Sequence, residues 1–210
     1  MMMTIINKRS IILTAFLLLT TPFWSFAQQT DNHRYPLKLD LRTNLLYDAI
    51  LTPTLGVEWH IHRSWGIKID GSYSHWGSDH GRVHNIWLVS PEVRWYMGNA
   101  GRFYTGLGGN VGRYDIYEGV IGNLFFPDKT GYQGGLYSGS LSVGYKLALS
   151  PTFSLDFNLG LGYTHFKYDS FTVTDRVRVY KEIKEKDVTK NLWGLTQASV
   201  SLVWKPGKNK

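Results

Sequence analysis

From residue 37 onward the chain keeps switching between apolar and charged or small residues at every second position. In Leu37-Lys38-Leu39-Asp40-Leu41-Arg42, the three leucines share one face, and Lys38, Asp40 and Arg42 share the other. The pattern returns in Leu55–Ile61, Trp65–Asp70, Val89–Trp95, Leu141–Leu147 and Phe153–Leu159. A period of two marks a β-strand. Strands of about ten residues with alternating polarity, separated by turn residues, are what a membrane-spanning barrel requires.

Residues 1–27 read as an export signal that lies outside the fold. Lys8 and Arg9 form a basic start, Ile11 to Leu19 an apolar core, and Ser25-Phe26-Ala27 a small-x-small cleavage site. The apolar run is shorter than the roughly 20 residues a transmembrane helix needs. Cleavage after Ala27 starts the mature chain at Gln28, and the expected divisions are 28–36 as an N-terminal periplasmic segment, 37–204 as the barrel and 205–210 as a basic tail. No cysteine follows the leader, which argues against a lipoprotein, and the whole chain lacks cysteine, so neither disulfides nor thiol chemistry contribute.

Formal net charge falls from +7 to +5 on cleavage, because Lys8 and Arg9 leave and no acid does. The bases interleave with acids instead of gathering in one patch, which argues against nucleic acid as a partner. Anionic lipid head groups, including lipopolysaccharide, are the better match for the surplus.

The alternation predicts eight strands near 37–47, 53–62, 65–76, 84–97, 102–117, 135–149, 152–167 and 191–204. An even number suits an antiparallel up-and-down transmembrane barrel. The links alternate in length. His62-Arg63-Ser64, Gly98–Gly101 and Ser150-Pro151-Thr152 are tight, whereas Gly77–Val83, Glu118–Gly134 and Tyr168–Lys190 are long. Asp48 to Thr52 is short where a long link is expected. Short periplasmic turns and long outer loops place both termini in the periplasm and the protein in the outer membrane.

Aromatic residues fall at strand ends. Trp59, Trp65, Trp95, Phe103, Phe153 and Trp204 gather near one rim; Tyr47, Tyr73, Trp87, Tyr137, Tyr163 and Trp193 gather near the other. Two girdles at head-group level are expected of a membrane barrel. In the last strand, Ala198, Val200, Leu202 and Trp204 alternate with Gln197, Ser199, Ser201 and Val203. A terminal strand closing on an aromatic fits the signal read by outer-membrane assembly machinery, although Lys205–Lys210 runs past it.

If the apolar face meets lipid, Lys38, Asp40, Arg42, Glu58, Lys68, Asp70, Glu92, Arg94, Lys146 and Asp156 point into the lumen. Buried ions must be paired, and an eight-stranded interior is just wide enough for side chains to fill. The expectation is a salt-bridged plug without an aqueous pore. Inward glycines, among them Gly56, Gly66, Gly106 and Gly144, would make room for long side chains.

Candidate chemistry is sparse. His60 and His62 share a strand face, as metal ligands can, but no third ligand is in view. His75, Asp79, His80 and His84 crowd the second outer loop, where solvated polarity is the plainer reading. Ser74 with His75, or Ser138 with His165, imitates part of a lipid-hydrolase arrangement, but no G-x-S-x-G elbow occurs. Gly106-Leu107-Gly108-Gly109-Asn110-Val111 is only superficially a nucleotide loop. No metal, cofactor or catalytic residue is expected.

Two outer segments look like surface-interaction sites. One is unusually apolar and contains Ile121, Leu124, Phe125 and Phe126. In the other, Phe171–Ile183, the alternation continues through Val173, Val177 and Val179, as if the last hairpin projects outward; a projecting edge can accept another chain's strand.

The blocks Asn44-Leu45-Leu46-Tyr47-Asp48-Ala49, Thr52-Pro53-Thr54-Leu55-Gly56-Val57-Glu58 and Pro91-Glu92-Val93-Arg94-Trp95-Tyr96, with Val200–Trp204, resemble an uncharacterised Bacteroidota outer-membrane barrel family. The likeness spans about 37–205. That family carries a domain-of-unknown-function label, and its members are often encoded beside fimbrial or surface-adhesin genes. The resemblance implies an outer-membrane component accessory to fimbriae and transfers no catalytic residue. The reading is therefore a closed, non-enzymatic barrel with a structural or surface-interaction role. An outer-leaflet lipid-modifying enzyme and a soluble lipocalin-like carrier stay open as alternatives.

Overall fold

A computed structural model of the chain describes residues 38–77, 83–98, 101–117, 130–173 and 181–206. Eight antiparallel strands follow one another: β1 (Lys38–Asn44), β2 (Thr54–His62), β3 (Trp65–Gly77), β4 (Val83–Met97), β5 (Phe103–Tyr117), β6 (Gly131–Ala148), β7 (Phe153–Val173) and β8 (Lys181–Trp204). Each pairs with its neighbour in sequence, and β8 returns to β1 to close the barrel. The tight links after β2, β4 and β6 lie at one end, here the turn end, together with the start of β1 and the close of β8. The opposite end is the loop end.

The first link differs from expectation. β1 stops at Asn44, and residues Leu45–Ala49 form one helical turn, α1. Asn44 caps it by accepting from the Leu46 amide (3.2 Å). Asp48 then ties the link to both strands, its carboxylate accepting from the Thr43 hydroxyl (2.6 Å) and the Thr54 amide (3.0 Å). The apolar run Leu45-Leu46-Tyr47 thus leaves the strand because local side chains satisfy its backbone.

The last three strands are longer than their alternation alone predicts. Pairing of β6 with β7 runs from Ala148↔Ser154 out to Gly131↔Phe171, and β7 with β8 continues to Val173↔Lys181. Most of 168–190, expected as a loop, is a projecting hairpin, in keeping with the alternation noted through Val173. Ile121, Leu124, Phe125, Phe126, Val177 and Val179 lie outside the described residues, as do the leader, segment 28–36, Asp79, His80 and the end of the basic tail.

Alternation sorts the side chains cleanly. Along β5, Leu107 (65%) and Val111 (47%) are exposed outward, whereas Tyr104 and Asn110 are buried inward. Outward aromatic side chains form a ring toward the turn end (Trp65, Trp95, Phe103, Phe153, Trp204) and another toward the loop end (Tyr73, Trp87, Tyr137, Trp193). From Trp65 to Tyr73, or Phe153 to Tyr163, the band between them is about 20–25 Å tall, at roughly 3.3 Å per residue and a tilt of about 40°. Among the described residues, no outward position within this band carries a charge. Tyr47, expected in the loop-end ring, instead turns with α1 to line a cavity inside.

The interior glycines clear space for long side chains. A Cβ on Gly56 would strike Asp70, one on Gly106 would strike Glu92, and one on Gly144 would overlap the Tyr104 ring. Gly144→Val should therefore lower the folded barrel's stability by about 1–3 kcal/mol through overpacking. Gly139→Ala, where nothing lies within 4 Å, should leave it unchanged. Urea titration of both variants, followed by tryptophan fluorescence, checks the contrast.

Candidate functional site

The turn-end half of the lumen is filled by one connected ion network. Asp40, Arg42, Glu58, Lys68, Asp70, Glu92, Arg94, Lys146 and Asp156 all project inward and are buried. Lys38, expected among them, is the first residue of β1 and is exposed, because it stands past the rim where water replaces the partner it would need.

Two carboxylates hold the centre. Glu58 Oε2 accepts from Arg42 Nη1 (3.3 Å), Arg94 Nη1 (3.0 Å) and Lys146 Nζ (2.8 Å), and its Oε1 accepts from the Tyr96 hydroxyl. Asp156 Oδ2 accepts from Arg42 Nη1 (2.8 Å) and Arg94 Nη1 (2.7 Å), and its Oδ1 from the Tyr104 hydroxyl (2.7 Å). The Arg94 guanidinium also lies 4.2 Å from the Tyr104 ring centre.

The network spreads outward from there. Lys68 Nζ bridges Glu92 (2.7 Å) and Asp70 (3.1 Å), and Arg42 Nε reaches Asp70 at 3.1 Å. Glu92 collects the Ser142 hydroxyl (2.6 Å) and the amides of Asn158 (3.2 Å) and Gln197 (3.4 Å). Arg42 Nη2 donates to Ser201 at 2.8 Å. The partners come from β1 to β8, so every strand contributes to one cluster. Sequence reasoning missed Tyr96, Tyr104, Asn158 and Gln197 as members. Their strand parity, matching Arg94, Gly106, Asp156 and Ser199, was the available signal.

Other candidate constellations come apart. A register shift between His60 and His62 sends them different ways. His60 pairs with Asp40 at 2.9 Å, while His62 is exposed and its Nδ1 accepts from the Ser64 amide (3.3 Å). Asp40, Glu58 and His60 do bring ligand atoms within 4.8 Å of one another. Both Glu58 oxygens are already engaged by three cations and a hydroxyl, so the trio belongs to the ion network.

Ser74 is buried inward and His75 is exposed outward, as neighbours on a strand must be. Ser138 faces the lumen, where Asn110 Nδ2 donates to it (2.8 Å). His165 faces outward, stacked on Tyr137 with ring centroids 4.6 Å apart. Neither pair makes a dyad. His84 points inward to Thr52 (3.0 Å), away from His75, and the run Gly106–Val111 is interior strand.

Above the ion network the lumen changes character. A cavity of about 570 Å³ opens toward the loop end, lined by Ile86, Leu88, Ile116, Leu136, Phe166 and Leu192. Aromatic pairs stiffen its wall, Tyr114 with Phe166 at 6.4 Å and Tyr132 with Tyr168 at 5.5 Å between ring centres. Tyr47 and Ile50 of the first link close one side. Sequence reasoning assigned apolar residues to the outside and so did not foresee this lining.

A model of the family described as "Protein of unknown function (DUF3575)" matches residues 12–205. The chain belongs to that family. No curated protein matches it.

Removing one member of the network should be worse than never having built it, because the charges left behind stay buried. Glu58→Leu, which takes Lys146's nearest partner (2.8 Å) and one carboxylate each from Arg42 and Arg94, should destabilise the barrel by about 3–5 kcal/mol. Glu92→Leu should lower the melting temperature through Lys68, and Tyr104→Phe should cost about 1–3 kcal/mol by orphaning an Asp156 oxygen. Thermal melts in one detergent, ranking Glu58→Leu above Tyr104→Phe, check the order.

Proposed function

We propose, starting from a family whose description names no function, that this chain is an outer-membrane β-barrel. Its lower lumen is sealed by the ion network, and its loop end carries the surface interactions. The role is structural or recognitive and not enzymatic. The observation that carries this reading is the exterior: between two rings of aromatic side chains, no outward position among the described residues is charged.

An apolar band around the whole circumference would be an aggregation surface in water and is the ordinary exterior in lipid. Its height of about 20–25 Å matches the roughly 25 Å apolar band of outer-membrane barrels. The expected leader at 1–27 and the final strand closing on Trp204 add independent support for export and barrel assembly. Ring closure pairs the strand edges within the band, and α1 lies along β8 loop-ward of Ser201, in keeping with what lipid demands.

In this reading the turn end is periplasmic and the β6–β8 extension stands clear of the outer leaflet. Lipid and lipopolysaccharide surround the band. A fimbrial or other surface protein is the partner class that the projecting strands serve, by adding a strand to an exposed edge. Nucleic acid has no place in it. The soluble-carrier alternative requires the charged face outward, and those charges are buried in ion pairs.

The test is a membrane-fraction gel, unboiled against boiled, with trypsin applied to intact cells. The expected outcome is a heat-shifted band and cleavage confined to 118–134 and 168–190. A soluble periplasmic protein with no heat shift would overturn the membrane reading.

A further inference from the structure

The upper cavity has two features that say what enters it. The first is an incomplete wall. β8 is 24 residues long but pairs with β1 only from Ser201 to Trp204. Loop-ward of Ser201, among the described residues, the β1 side of β8 is flanked by α1 and not by a strand. Leu192 on β8 and Tyr47 and Ile50 on the first link all line the cavity, so it reaches the wall where this seam is open. The seam lies beside Trp193, which is 82% exposed in the loop-end aromatic ring.

The second feature is a cation. Lys190 pairs in register with Phe166, which places it on the lumen side, and it lines the same cavity. Every buried Lys and Arg of the network below is ion-paired. Lys190 is exposed, and its ammonium makes no ion pair or hydrogen bond among the described residues. An apolar cavity with Lys190 and Arg113 in its lining, neither ion-paired among the described residues, is complementary to an amphipathic anion. Its volume also falls within the roughly 300–1,000 Å³ of small-molecule pockets.

We propose that the upper lumen is a binding site for an alkyl chain bearing an anionic head group. The chain lies against Ile86, Leu88, Leu136 and Phe166, the head pairs with Lys190, and the ion network forms the floor. Entry is sideways, between β8 and α1, at the level of Trp193. The cavity itself does not depend on the membrane reading. The source of the ligand does: a bilayer supplies an anionic outer-leaflet lipid through the seam, whereas an aqueous mouth supplies a free fatty acid.

The full chain, reconstituted in phosphatidylcholine nanodiscs, is titrated with dansylundecanoic acid, whose emission rises in an apolar site. Saturable binding of one probe per barrel is expected. Lys190→Glu, or the probe's neutral methyl ester, should weaken it several-fold, and Leu136→Trp or Leu192→Trp should weaken it about tenfold or more. Leu192→Trp sits at the open seam and keeps the test valid if Leu136→Trp does not fold; a heat-shifted band certifies each variant. Displacement of the probe by phosphatidic acid doped into the nanodiscs assigns a bilayer source, and binding without displacement assigns a free fatty acid. Non-saturable partitioning, or binding that both tryptophan variants leave intact in a heat-shifted barrel, overturns the proposal. If the chain is soluble and shows no heat shift, the same titration in buffer still decides the cavity, while the membrane reading alone falls.

Discussion

The fold turns on Glu58 and Asp156, two carboxylates shared by Arg42 and Arg94 at the centre of the turn-end network. Neither acid nor base is tolerable there alone, because desolvating a charge costs several kcal/mol unless it is paired and hydrogen-bonded. The pairing partners sit on β1, β2, β4 and β7, so the network forms only when the ring closes in this register. A one-residue slip of β1, β2, β4 or β7 would turn its ion outward and leave its partners short of a counter-charge. The network therefore specifies the register as well as the filling. It also leaves each strand's apolar set with nowhere to go but outside.

That assignment reverses partway up the barrel. Beyond Tyr73, Trp87 and Tyr137 the outward positions become polar, with His75, Asn85, Arg113 and Lys167. At the same height the inward positions become apolar, with Ile86, Tyr114 and Phe166. One period-two pattern thus carries two opposite polarities along a single strand, and the aromatic ring marks the crossover. Under the proposed membrane reading, a change of solvent from lipid to water at that level accounts for both halves. The membrane-barrel and lipocalin-like readings of the alternation compete only if the pattern must mean one thing throughout.

Strand order, ring closure and the inward charges were readable from the sequence, because burial on one face forces strict alternation from Trp65 to Asp70 and from Glu92 to Trp95. Lys38 was misjudged since alternation continues past the rim, where its physical cause has ended. Tyr47 and α1 escaped because Asn44 and Asp48 cap a turn using side chains that look equally at home in a strand. The His60–His62 face failed at a bulge that no composition signal marks. The upper cavity was hidden for a different reason. Ile86, Leu88 and Ile116 are apolar in the same way as Val89 and Val111, and only pairing to the charged rows below shows that they point inward.

The absence of native cysteine makes the central claim directly measurable, because a single introduced cysteine can carry a nitroxide spin label. Labels at Leu107, Leu141 and Leu161 on the outer band are compared with one at Ser142 on the lumen side, in lipid vesicles. The account predicts that the three outer labels collide with dissolved oxygen and are shielded from a water-soluble nickel complex, while the Ser142 label is immobile and shielded from both. Strong collision of the outer labels with the nickel complex would put that face in water and contradict it.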